Sequence, residues 1–179
     1  MTNSLAPAHN VKEDMKTSRR SVIAFAVTLV VGAAALATWG AYSDTPSRQD
    51  DVARRGAIVM PFDLERTTHV FEPRNDGGVQ TVIADDPADR DQVRLVREHL
   101  KAEADAFARG DFGDPANIHG DEMPGLRKLE ENYAAIEVTF ELTADGARIT
   151  YQSADPMVVE ALHDWFEAQV SDHGSHAEN

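Results

Sequence analysis

One recurrence limits the possible folds more than any other feature of this chain. Phe71 is echoed by Phe140, Asp76-Gly77 by Asp145-Gly146, and Asp86-Pro87 by Asp155-Pro156, each 69 residues later. Both sets sit in the same order of local patterns. In the first, residues 69–72 and 79–84 are β-rich and flank Arg74-Asn75-Asp76-Gly77-Gly78, a turn signal made of residues that accept φ > 0. Asp86 then suits a helix cap and Pro87 a first helical position, where a missing N–H costs nothing. Val93, Val96, Leu100 and Phe107 form an apolar stripe, and Gly110 ends the helix. In the second set, residues 136–140 alternate, Asp145-Gly146 turns the chain and residues 148–151 return it. Asp155 and Pro156 start a helix whose buried side is expected to be Val158, Leu162, Trp165, Phe166 and Val170, with Gly174 beyond its end. Two ββα units predict an α+β domain: a four-stranded antiparallel sheet with two helices on one face.

The recurrence occupies only the later part of the 179 residues. Residues 21–42 form a run of 22 residues without a charge, the length of a membrane-spanning helix. Lys12, Lys16, Arg19 and Arg20 precede it, and Asp44, Asp50 and Asp51 follow. The positive-inside rule leaves residues 1–20 in the cytoplasm and sends the rest outward, to the periplasmic side of a bacterial inner membrane. Ser18-Arg19-Arg20-Ser21 is similar to a twin-arginine export signal, and Ala35-Leu36-Ala37 offers a cleavage site. The segment therefore reads as a retained anchor or as a cleaved signal that releases the domain. Residues 1–20 look disordered, residues 43–59 read as a polar tether, residues 60–174 as the folded domain and residues 175–179 as a tail.

Charge bears on partners. The chain holds 31 Asp and Glu against 17 Lys and Arg, a formal net charge of −14. Residues 1–42 contain only Glu13 and Asp14 against Lys12, Lys16, Arg19 and Arg20, so the part beyond them carries −16. Such a domain repels phosphate backbones, which excludes nucleic acid and leaves cations or basic protein surfaces. With no cysteine, disulfides and thiolate metal sites are excluded too.

Between the two units lies a segment with no echo, residues 110–132. It is longer than an ordinary connection and rich in Gly, Pro and Asp, and Phe112, Ile118, Met123 and Leu126 are expected to pin it to the domain. Within it His119 and Met123 stand four apart. Thioether sulfur favours Cu(I), and imidazole serves both copper oxidation states, so the pair suggests copper ligands, with His69 and His163 to complete the site. The plainer readings are that Met123 fills the core and that His163 flanks an apolar stripe. His99 reads as structural, and His173 and His176 as part of a frayed end. No compact ligand motif, nucleophile elbow or phosphate-binding loop is present.

Met60-Pro61-Phe62-Asp63-Leu64, Thr67-Thr68-His69-Val70-Phe71, Gly110-Asp111-Phe112, Ile118-His119-Gly120, Met123-Pro124-Gly125-Leu126 and Ser171-Asp172-His173-Gly174 together make the chain resemble a family of small bacterial proteins. Members sometimes carry the label aspartate carbamoyltransferase. That enzyme is more than twice this size and uses a Ser-Thr-Arg-Thr loop for its substrate, which this chain lacks. The resemblance therefore implies no carbamoyltransferase activity and supplies no catalytic residue. The expectation is a membrane-tethered or exported non-enzymatic domain that binds a transition metal, copper first, or assists a metal or redox system. The alternatives are a protein-interaction module beside the membrane and a small hydrolase built on a His–carboxylate pair.

Overall fold

The structure, a computed structural model, describes Met1 and residues 46–179. The expected disordered start at residues 1–20 and the membrane or signal segment at 21–42 lie outside the described residues. Among those described, no helix is long and apolar enough to cross a membrane.

Five strands form one sheet in the order β3-β4-β2-β1-β5, with β1 at Thr67–Arg74, β2 at Gly77–Ala84, β3 at Glu137–Leu142, β4 at Gly146–Gln152 and β5 at Ala177–Glu178. The first four are antiparallel, as the doubled unit predicts. The fifth corrects the expectation of a four-stranded antiparallel sheet, because Ala177 and Glu178 run parallel to His69 and Val70. Residues expected as a tail close an edge that β1 would otherwise expose.

The 69-residue offset governs the pairing. Phe71 faces Gln80 in one hairpin and Phe140 faces Ile149 in the other, which is the same register. The two central strands meet symmetrically about Gln80 and Ile149, with Gly77 opposite Gln152 and Ile83 opposite Gly146. Two further bonds repeat across this axis: Ala84 N–H donates to the Asp145 carbonyl at 2.9 Å, and Ser153 N–H to the Asp76 carbonyl at 2.9 Å. The glycines of the echoed Asp-Gly pairs sit where the strands converge. A Cβ on Gly77 would lie 1.9 Å from the Tyr151 carbonyl oxygen, and one on Gly146 would lie 1.9 Å from that of Val82.

The long helices α2 (Arg90–Phe107) and α5 (Pro156–His173) pack on the sheet face that carries Phe71, Gln80, Val82, Ile149 and Tyr151. The first lies over β2, β3 and β4, and the second over β1 and β2. Asp155 caps α5 as expected, accepting from Met157 N–H at 2.9 Å. The first helix begins three residues later than the echo predicts. Asp86 closes a turn onto Ala88 N–H, and Asp89 is the cap, accepting from Gln92 N–H. Trp165, Phe107, Phe112, Tyr151 and Phe166 fill the space between helices and sheet, several of them edge to face. Val170, expected in the core, is only half-buried; the buried side of α5 runs on instead through Gln169 and Asp172.

Over residues 46–59 the expected tether is replaced by a helix. Pro46–Val59 form helix α1, which docks against α3 (Gly113–His119) and α5. Val52 is 1% exposed, and the buried stripe continues through Gly56, with Arg48 and Gln49 one turn earlier. Two of those four docking residues are polar, so apolar periodicity could not reveal the helix. The unechoed segment folds as α3 and α4 (Leu126–Glu131), pinned by buried Phe112, Ile118, Met123 and Leu126 as expected.

Candidate metal centre

The sheet face under α2 and α5 would be wholly apolar but for a polar pocket near β1. There His69 comes from β1, His99 and Glu103 from α2, His119 from the last position of α3 and His173 from the last position of α5. All five line one narrow cavity of about 20 Å³, together with Met60, Gln80 and Gln169. A space of that size accepts one water or one ion and no organic ligand.

The imidazoles touch one another. His173 stacks on His69 with centroids 5.0 Å apart and planes 7° from parallel, and meets His119 edge to face at 5.1 Å. Phe62 closes the other side, 5.9 Å from His69 and 5.6 Å from His99. Burial and the neighbouring rings push the His69 pKa down to about 4. His173 is driven well below its ordinary value by burial and then by His69, His119 and His176. The stack is therefore neutral at physiological pH, the form in which imidazole binds metals.

His119 is oriented. Its Nδ1 lies 2.8 Å from Asp172 Oδ2, and both side chains are 1% exposed. Arg48 grips the same carboxylate with two bonds, Nε at 2.5 Å and Nη2 at 2.6 Å, and donates to the His119 carbonyl at 3.1 Å. Burial raises the Asp172 pKa, but the bonds from His119 and Arg48 outweigh it and hold the group ionised. An ionised carboxylate only accepts, so the proton of His119 sits on Nδ1 and Nε2 keeps its lone pair. A carboxylate holding one imidazole nitrogen while the other stays open is the usual support of a metal-bound histidine. His119 is itself kept below its ordinary value by burial, against the pull of Asp172.

His69 carries the atom that most needs a partner. Its Nδ1 is buried and has no hydrogen-bond partner among the described residues. The other such atom, Trp165 Nε1, lies in the aromatic core rather than at the cavity. An orphaned buried nitrogen costs free energy unless something fills its lone pair.

His99 has acidic neighbours, of which Glu103 also lines the cavity. His99 Nε2 is 3.5 Å from Glu103 Oε1, and one ligand atom each of His99, Glu103 and Asp114 falls within 4.8 Å of the others. Burial lowers the His99 pKa, but the bond and charge of Glu103 and the charge of Asp114 overcome it, so the net shift is upward. Asp114 is raised by burial and by Glu103.

Of the four residues expected as ligands, the structure brings together His69 and His119. Met123 is buried elsewhere, lining a separate pocket with Asp121, Arg127, Lys128 and Asp164 that shares no residue with the cavity. His163 points its Nε2 at the carbonyls of Arg74 and Gly77, at 2.9 and 3.0 Å, and staples α5 to the first hairpin. In their place stand His99 and His173, which the sequence suggests are structural and frayed. One signal lay in the sequence: Glu103 interrupts the stripe Val96-Leu100-Phe107 on its buried side, four residues after His99. The 69-residue offset also places Glu103 on Asp172, so the two histidine-holding carboxylates occupy equivalent helix positions. No protein-family model, curated protein or solved structure matches this chain.

Proposed function

We propose that residues 46–179 form a transition-metal-binding domain whose centre is the cavity between β1, α2, α3 and α5. The observation that carries this reading is the set of His69, His99, His119 and His173 lining one space of ion size, together with a buried, partnerless Nδ1 on His69. Imidazole with a nearby carboxylate suits copper, zinc, nickel or iron, and no thiolate competes. Copper is the first metal to test, because the thioether of Met60 also lines the space. Met123 and His163 leave the proposed ligand set. The uncharged run at 21–42 supports a place at or beyond a membrane, where the domain would hold or hand on its ion.

Within the buried cavity itself, size favours ion binding over turnover. Ligand pockets for small organic molecules span roughly 300–1,000 Å³, far above the 20 Å³ here, and among the described residues no Ser, Thr, Tyr or Lys lines the space. The His119–Asp172 pair has the chemistry of an acid/base dyad, but among the described residues no hydroxyl or amine nucleophile lines the cavity beside His119, which weighs against the hydrolytic alternative.

Titration of the purified full-length chain with Cu(I), Cu(II) and Zn(II) tests the reading. One submicromolar site per chain is expected, lost in His69→Ala and His119→Ala and kept in His163→Ala. Absence of tight binding for every ion tried ends the proposal.

A further inference from the structure

Outside the cavity lies a groove of about 670 Å³ between α1, residues 60–65 and the end of α5. Groove and cavity share two side chains, Met60 and His173, which separate one from the other. Along the groove stand Asp50, Asp63 and Glu65, and among the described residues no lysine or arginine lines it. His176 also lines it, with Nε2 3.3 Å from Glu65 Oε1 and a side chain 36% exposed. His173 lies one helical turn before His176 in sequence, and its ring already touches His69 and His119. The imidazoles thus form a series: His176 at the surface, His173 in the dividing wall, His69 and His119 inside. β5 holds the series in place, because Ala177, next to His176, pairs with His69.

We propose that His176 and Glu65 form a surface capture site for a divalent or monovalent transition-metal cation, which passes through a swing of His173 to the buried centre. This rests on the functional reading above. The acidic groove concentrates cations at its mouth. Imidazole and carboxylate then replace part of the hydration shell without sealing the ion in. His173 exchanges its stack on His69 for a bond to the metal, so no proton or redox step is needed.

Stopped-flow loading of the full-length chain with Zn(II) separates capture from the centre. In Glu65→Gln/His176→Asn, the association rate is expected to fall about tenfold and lose much of its salt dependence, with stoichiometry and final affinity unchanged. In His69→Ala/His119→Ala, NMR is expected to show a weak Zn(II) response at His176, abolished by adding Glu65→Gln. Unchanged loading in the double variant, with tight binding intact, overturns capture alone. A His176 response without any tight site in the wild type overturns the buried centre alone. Loss of tight affinity in Glu65→Gln/His176→Asn also overturns the proposal, because these residues would then be ligands of the centre itself.

Discussion

His69 shows how much one residue's surroundings decide. An unfolded-chain histidine titrates near 6.5, and this one at about 4 when folded. Between those values the unfolded chain binds the extra proton, so this contribution is complete above pH 6.5 and is lost as pH falls towards 4. The shift corresponds to roughly 3 kcal/mol. His119 and His173 are displaced the same way. His99 is displaced upward, so its contribution is present below pH 6.5 and fades as pH rises through its folded pKa. Urea unfolding of the metal-free protein should therefore show stability falling from pH 6.5 to 4. The fall should be shallower in His69→Gln, and an equally steep profile in that variant would remove His69 from the account. Gly77 and Gly146 make the complementary case for backbone. Either changed to Ala drives a Cβ to 1.9 Å from a carbonyl oxygen of the facing central strand. We expect each substitution to cost more than about 2 kcal/mol in chemical denaturation. The echoed symmetry predicts similar losses at the two sites.

Among the elements, α1 depends most on a single contact. Its apolar burial is small, chiefly Val52, while Arg48 bridges it to Asp172 on α5 and to the His119 carbonyl on α3. Asp172 is 1% exposed and Arg48 25%, so the pair is screened on one side only. Removing one partner of a buried pair leaves an uncompensated charge, at a cost of about 3 kcal/mol. Arg48→Ala should destabilise the domain by up to that amount and release α1, raising amide exchange across residues 46–59 while the central strands β2 and β4 stay protected. Uniform exchange throughout the domain would show that α1 is not latched by this contact. The same substitution loosens the carboxylate that orients His119, because Asp172 loses both Arg48 bonds, so metal affinity should fall with it.

For the molecule as a whole, the sheet, the two long helices, residues 60–62 and the unechoed segment enclose one cavity, the proposed centre, lined by residues from Met60 to His173. The proposed place of that centre outside the cytoplasm is open to a direct measurement. Alkaline phosphatase fused after Asn179 should be active in a bacterial host, and an inactive fusion at normal expression would reverse the proposed orientation.

The doubled ββα plan was legible in the chain because it rests on local rules. Turns favour Asp-Gly, Asp-Pro starts α5, and strands and helices bury side chains at fixed periods, so the hairpins and both long helices followed from spacing, although Asp89 rather than Asp86 caps α2. Helix α1 and strand β5 were not legible, because their docking residues are polar or few and gain meaning only against a partner surface: Arg48 against Asp172, Ala177 against His69. The same holds for the proposed centre. His119 and His69 could be singled out as residue types, but the exclusion of Met123 and His163 and the admission of His99, Glu103 and His173 depended on how α2 and α5 cross the sheet. Convergence of residues a hundred positions apart is a property of packing, and no local period encodes it.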